Sequence, residues 1–208
     1  MTKPAHATQQ TSAQAELFAT PSAMPEGFRY RPDLIDQTEQ QRLVAAMARL
    51  DFKPFEFHGF TGKREVISFG WRYNFDGSGL QKAGDIPVFL LRLRDAAAQF
   101  AGLHPDALQH ALLTNYPPGS TIGWHKDRPA FGDVIGISLA SSCTFRFRRK
   151  TAASGQRASW QRRAFTAAPR SAYLLHGPSR TEWEHSIPAV DARRYSITFR
   201  TLRDGKPA

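Results

Sequence analysis

Between residues 36 and 50 the apolar positions Leu43, Val44, Met47 and Leu50 recur at helical intervals. That period gathers them on one face of an amphipathic helix, with Asp36 or Thr38 able to cap its first turn. A second helix is expected over residues 87–100. Its apolar stripe is Val88, Leu90, Leu91, Leu93, Ala97 and Phe100, and Pro87 suits its first turn. Residues 52–76 lie between the two, dense in Phe, Gly and Tyr and irregular in alternation. They predict short strands or hairpins, with a turn over 74–79. After residue 105 the texture changes. Segments 108–115, 132–139, 143–149, 158–165, 171–176, 185–188 and 195–202 each read as a short strand bounded by turn residues. Strands at that spacing predict a β-sandwich, jelly roll or barrel. The fold class is α+β, with helices and hairpins first and an all-β core after them. Residues 1–24, rich in Ala, Thr, Gln, Ser and Pro, are expected to form a disordered N-terminal tail.

Composition narrows the classes of function. The chain has 208 residues, 41% hydrophobic, 12% aromatic and 22% charged, enough to bury a core and exclude wholesale disorder. No apolar run approaches the roughly 18 residues of a membrane-spanning helix. No apolar run follows Lys3, so no secretory leader is expected and the location expected is cytoplasmic. The single cysteine, Cys143, excludes a disulfide within the chain and a Cys-based zinc or iron–sulfur site, and reads as a small buried hydrophobe. Lys and Arg number 28 against 18 acids, a net charge of +10. Such an excess points to a nucleic acid, an anionic surface or an acidic small substrate. The bias is sharpest between Asp133 and Glu182. That stretch has no acid but holds Arg146, Arg148, Arg149, Lys150, Arg157, Arg162, Arg163, Arg170 and Arg180. So one-sided a cluster favours phosphate contacts, and residues 150–157 within it read as a flexible hairpin loop.

The candidate chemistry starts at His125-Lys126-Asp127. Side chains at i and i+2 of a strand face the same way, so His125 and Asp127 can converge on one ion. His185, in Trp183-Glu184-His185-Ser186-Ile187-Pro188, is the natural third ligand. Two imidazoles and a carboxylate form a facial triad that leaves adjacent positions open, as in non-heme Fe(II) oxygenases. A zinc hydrolase uses the same ligand types. Along Arg194-Tyr195-Ser196-Ile197-Thr198-Phe199-Arg200, period two puts Arg194, Ser196, Thr198 and Arg200 on one face and Tyr195, Ile197 and Phe199 on the other. If the first face points into a barrel, its two guanidiniums need anionic partners, which a dicarboxylate supplies.

The segment Asn115-Tyr116-Pro117-Pro118-Gly119-Ser120-Thr121-Ile122-Gly123-Trp124-His125-Lys126-Asp127 resembles the AlkB-like 2-oxoglutarate and Fe(II)-dependent dioxygenases. So do Ile135-Gly136-Ile137-Ser138-Leu139, Phe145-Arg146-Phe147-Arg148, Glu182 through Pro188, and Arg194 through Arg200, in the same order and spacing. The resemblance is strong over residues 105–203 and fainter upstream, through Lys63-Arg64-Glu65-Val66 and Ser68-Phe69-Gly70. It implies a double-stranded β-helix (jelly roll) catalytic core over 105–204. Residues 25–104 would supply helices and a β-hairpin lid that recognises the nucleotide. It implies Fe(II) held by His125, Asp127 and His185, with 2-oxoglutarate as cosubstrate and O2 as oxidant. By the same resemblance Arg194 pairs with the distal carboxylate of 2-oxoglutarate, helped by Tyr116 and Ser196. Arg200 sits near the proximal carboxylate and Asp127. Two positions depart from the family's pattern: Thr114 stands where Asn is common, and Pro129 where well-studied members carry an acid against the target base.

The activity this implies is oxidative removal of N-alkyl groups from nucleic-acid bases, in alkylated DNA more than RNA, by a monomer. Arg64, Phe69, Trp71, Tyr73 and Arg148 are the candidate substrate contacts, the aromatics as stacking platforms and the arginines for phosphate. For any single aromatic here the core is the commoner place. His58-Gly59 lies where relatives place a base-wedging loop. His104, His110 and His176 show no metal spacing and read as structural. Three other readings compete: a 2-oxoglutarate-dependent hydroxylase of a protein or small molecule, an RNA- or tRNA-modifying oxygenase, and a non-enzymatic module on a cupin-like barrel.

Overall fold

A computed structural model describes residues 23–57, 59–74, 79–151 and 159–203. His58, the tail up to residue 22, most of the expected 74–79 turn and most of the 150–157 loop lie outside the described residues. Helix α1 spans Gln37–Met47 and starts where Asp36 accepts the Glu39 backbone N–H at 2.7 Å. Helix α2 spans Val88–Ala101, one residue later at each end than its apolar stripe predicts. Pro87 is its cap and not part of its first turn, and Val88 is 83% exposed, so the stripe begins at Leu90. The helix stops at Gly102, whose φ of 73° lets the Leu103 N–H reach back to the Ala98 carbonyl.

Two antiparallel sheets follow. The larger has seven strands: β1 (Phe28–Arg31), β2 (Lys53–Phe57), β3 (Phe60–Phe69), β6 (His110–Tyr116), β8 (Phe131–Leu139), β11 (Ala172–Leu175) and β13 (Arg194–Leu202). Their order is β1-β11-β8-β13-β6-β3-β2. The smaller is ordered β10-β9-β12-β7, from β7 (Ile122–His125), β9 (Cys143–Thr151), β10 (Ser159–Ala167) and β12 (Glu184–Ile187). Strands β4 (Trp71–Asn74) and β5 (Gly79–Lys82) form a separate hairpin, and a short helix, α3 (Pro178–Thr181), precedes β12. The larger sheet draws strands from both sides of residue 104, because β1 pairs with β11 and β3 with β6.

Alternation along the strands builds two cores. Tyr195, Ile197 and Phe199 on β13, with Ile135, Ile137 and Leu139 on β8, pack against Leu43, Met47, Leu90 and Leu93 of the helices. The opposite face of the large sheet meets the small one. There Val134, Tyr173 and Leu175 join Phe145, Phe147 and Ile187, and the Phe145 and Tyr173 rings lie 4.8 Å apart. The layers are thus helices, large sheet and small sheet: a jelly-roll core with α1 and α2 on its back. Gly136 leaves room for the ring of Tyr173, its partner across the β8–β11 pair, since a Cβ there would overlap that ring. Two residues at the end of the expected tail are packed: Met24 rests on the inner core and the Ala23 carbonyl accepts from Arg163 Nε. No described helix is long and apolar enough to cross a membrane.

Candidate active site

Strands β7 and β12 pair with His125 directly opposite His185. The two rings are 4.2 Å apart between centroids, and the far side of His185 stacks on Phe145 at 5.2 Å. Asp127 follows β7 by two residues, and its Oδ2 lies 3.5 Å from His185 Nε2. The three side chains read from the sequence as ligands therefore lie close together, although among the described residues no group of three or more His, Cys, Asp or Glu is arranged as it stands to hold a metal ion.

Their chemistry suits a divalent ion. Burial, reinforced by His125, pushes the His185 imidazole down to about 3. Burial also lowers His125, Asp127 opposing it. Both rings are neutral at pH 7, the form that ligates. His125 Nδ1 sits 2.9 Å from the Gly123 carbonyl, and the tautomer that donates there leaves Nε2 with its lone pair. Burial pushes the Asp127 carboxyl up. Arg200 and the two imidazoles outweigh it and hold the group well below the usual carboxylate range. Arg200 donates Nε to Asp127 Oδ1 at 3.0 Å and holds Nη2 in ion-pair contact with the same oxygen at 2.8 Å. This fork turns Oδ2 toward His185. Two neutral imidazoles and one oriented carboxylate fit Fe(II) with open positions beside it.

Arg194 is fully buried and donates Nε to Ser138 Oγ at 3.0 Å. Its guanidinium lies 4.9 Å from the Tyr116 ring centroid, but Nη1 and Nη2 have no hydrogen-bond partner. An unsatisfied buried guanidinium fork is costly, and its geometry matches a carboxylate. The donor set thus fits a dicarboxylate cosubstrate as well as the metal. Ser196 is buried two residues after Arg194, on the same face of β13, opposite Thr114 on β6 and Ser138 on β8. Neither Arg194 nor Ser196 lines the main cavity, while Tyr116 and Thr114 do.

That cavity holds about 1570 Å³ and opens over the triad. Arg64 and Tyr73 line it, as expected for substrate contacts. Phe69 instead packs against the helix-side core, because it closes β3 where that strand pairs with Ala111 of β6. Trp71 stands outside the lining. Arg148 also faces away: it pairs with Glu184 and lies over the Trp124 and Trp160 rings at 4.6 and 4.3 Å. The hairpins of 52–76 contribute cavity wall, but β2 does so as the edge strand of the large sheet and β3 as the strand beside it.

Three contributors were not among the expected site residues. Buried Arg180 donates to the carbonyls of Arg128, Phe131 and Gly132, fixing the turn after Asp127. Ser138 holds Arg194. His110, which reads as merely structural, lies with Nδ1 3.3 Å from Arg200 Nη1. Burial, with Arg200 adding to it, holds its imidazole well below its usual value. A basic residue in an acid-free stretch is the only signal that could have singled out Arg180.

The sequence profile of the 2OG-Fe(II) oxygenase superfamily matches residues 27–200. Among curated relatives, the chain is 26% identical over 205 residues to "Alkylated DNA repair protein ALKBH8 homolog" of Arabidopsis thaliana, covering 83% of this chain and 57% of the relative. It is 28% identical over 177 residues to "DNA oxidative demethylase ALKBH2" of Bos taurus, covering 80% and 62%. The chain thus spans about three-fifths of each relative's length. Two solved structures share the fold. "The structure of OsALKBH1" has a TM-score of 0.66 at 13% identity, covering 86% of this chain and 98% of the other. A 2OG-Fe(II) oxygenase family oxidoreductase from Burkholderia pseudomallei has a TM-score of 0.60 at 19% identity, covering 88% and 89%.

Proposed function

Because the chain belongs to the 2OG-Fe(II) oxygenase superfamily, we propose that it oxidatively removes N-alkyl groups from nucleic-acid bases, with DNA as the preferred polymer. It is an AlkB-like oxidoreductase that uses Fe(II), 2-oxoglutarate and O2. The names of both curated relatives refer to DNA, which favours that polymer. When bound, iron with 2-oxoglutarate and O2 supplies the oxidation of an N-alkyl carbon, and the hydroxylated product falls apart to an aldehyde and the bare base. In this reading His125, Asp127 and His185 hold the iron. Arg200 keeps Asp127 ionised and aimed. Arg194 takes the distal carboxylate of 2-oxoglutarate beside Tyr116, and Arg180 keeps the turn after Asp127 from shifting under the substrate.

The observation that carries the nucleic-acid reading is the cavity wall. Lys53, Lys63, Arg64, Arg72, Lys82, Lys126, Arg128 and Arg203 line it, against only Asp51, Glu56 and Asp127 as acids among the described residues. A polyanion is drawn to such a mouth, and its affinity falls steeply with salt. The test is mass spectrometry of a panel of N-alkylated DNA and RNA oligonucleotides after incubation with Fe(II), 2-oxoglutarate and ascorbate. Aldehyde release matched by succinate, fastest on DNA, supports the proposal. Succinate formation with every oligonucleotide unchanged, together with binding indifferent to salt, would replace it with a protein or metabolite hydroxylase.

A further inference from the structure

We infer that the cavity selects an uncharged alkylated base that presents ring carbonyls over a cationic one, and that Arg64 is the residue that reads those carbonyls. This rests on the dealkylase reading above and names the substrate class within it.

The inference comes from which charges near the triad are already spent. Arg200 is committed to Asp127. Arg180 donates to three backbone carbonyls. Lys126 donates to the Thr181 carbonyl at 2.9 Å. Arg64 differs: among the described residues its one contact of this kind is the Phe55 ring, 3.7 Å from the guanidinium carbon. It is half-buried and lines the same cavity as Tyr116 and His125. Its field reaches both His125 and Arg200, so it stands beside the reaction centre and not at the outer rim. A guanidinium carries five N–H donors and no acceptor. Stacked on Phe55, it has its donors free for a flat ligand, and they require acceptor atoms.

No described acid is placed to do the opposite job. Asp51 and Glu56 are solvent-exposed, and Asp51 pairs with Lys53. Asp127 is turned to Arg200 and His185. Pro129, also in the wall, offers no side-chain acceptor. Bases alkylated at a ring nitrogen fall into two electrostatic classes. In 1-methyladenine and 3-methylcytosine the ring is a cation at neutral pH. In 3-methylthymine it is neutral and flanked by two carbonyls. The first would meet like charge with no counter-ion placed for it among the described residues, the second a fork of unspent donors.

Matched oligodeoxynucleotides carrying 3-methylthymine or 1-methyladenine test this in two ways. Fluorescence anisotropy on metal-free protein reads affinity, and aldehyde release with Fe(II) and 2-oxoglutarate reads kcat/KM. The 3-methylthymine strand is expected to lead by about tenfold or more in kcat/KM and to bind more tightly. Arg64→Gln should shrink that ratio and Arg64→Glu should invert it, with the KM for 2-oxoglutarate unchanged. Equal treatment of the two strands by the wild-type protein, or a preference for 1-methyladenine, overturns the inference while leaving the dealkylase reading intact. A loss in Arg64→Gln that is equal on both strands and tracks salt makes Arg64 a phosphate contact and also overturns it. If neither strand binds or reacts, the dealkylase reading falls and takes this inference with it.

Discussion

Replacing Arg194 with Met sets stability against function. Arg194 is fully buried, and no described protein group pairs with its Nη1 and Nη2. Each buried donor left without a partner costs about 1–3 kcal/mol, and the enclosed charge adds to that. Against this stand one charged hydrogen bond to Ser138 Oγ, about 1.5–3 kcal/mol, and the stack on Tyr116, about 0.5–2 kcal/mol. A methionine of similar reach gives up both contacts and removes the penalties. Arg194→Met is therefore expected to be as stable as the wild type or up to about 3 kcal/mol more stable. At roughly 2–4 °C per kcal/mol for a chain of this size, that is a rise of up to about 10 °C. Binding should move the other way. Losing a buried charge-assisted contact to a carboxylate costs about 2–5 kcal/mol, so 2-oxoglutarate affinity should fall by about thirtyfold or more. The assay is thermal unfolding with and without 2-oxoglutarate. At a hundred times its dissociation constant a ligand stabilises by about 2.7 kcal/mol, so wild type should melt several degrees higher with cosubstrate and the variant should not respond. A variant that melts well below wild type yet keeps its cosubstrate shift would make Arg194 a structural strut and refute this reasoning.

Gly136→Ala should cost about 1–3 kcal/mol in urea unfolding, because the new methyl would overlap the Tyr173 ring; a shortened Tyr173→Phe partner should not rescue it, since the ring carbon Cζ itself is the closest atom. His110 predicts acid sensitivity. Its imidazole titrates well below the ordinary value in the fold, so below about pH 6.5 the unfolded chain takes up a proton that the native state refuses, and stability falls with falling pH. His110→Gln should flatten part of that slope in denaturation curves collected from pH 7.5 to 5. Cys143 is buried and burial raises its thiol, so a thiol reagent at pH 8 should label it only at the rate of unfolding, while labelling at the rate of a free thiol would show an opening at the β9 end of the small sheet.

The fold is legible in the sequence wherever one face of an element is apolar over its whole length. The alternation of β13 names its two faces residue by residue, Tyr195, Ile197 and Phe199 toward the helices and Arg194 and Ser196 inward. The stripe of α2 errs only at Val88, where the first turn precedes the packed face. Strand β1 carries no comparable signal, because Phe28-Arg29-Tyr30-Arg31 is short and half charged. Strand β3 hides its ten-residue length behind Lys63 and Arg64 at the cavity wall and Glu65 beside them, which break an apolar reading. At the site, His125, Asp127, His185 and the two β13 arginines are readable as a set because spacing and residue type constrain each other. Ser138 and Arg180 are not, because a serine hydroxyl or a guanidinium gains its task only from what the fold brings near: Arg194 from across a strand pair, and a turn whose carbonyls face inward.

His125 and His185 meet only because β12 is threaded between β9 and β7. During synthesis the first imidazole leaves the ribosome sixty residues ahead of its partner, and β7, at the sheet margin, has no neighbour to hold it until then. A polypeptide that stops short of β12 therefore lacks both the second imidazole and the strand that pairs with the first, so the two rings come to face one another only once the small sheet is complete.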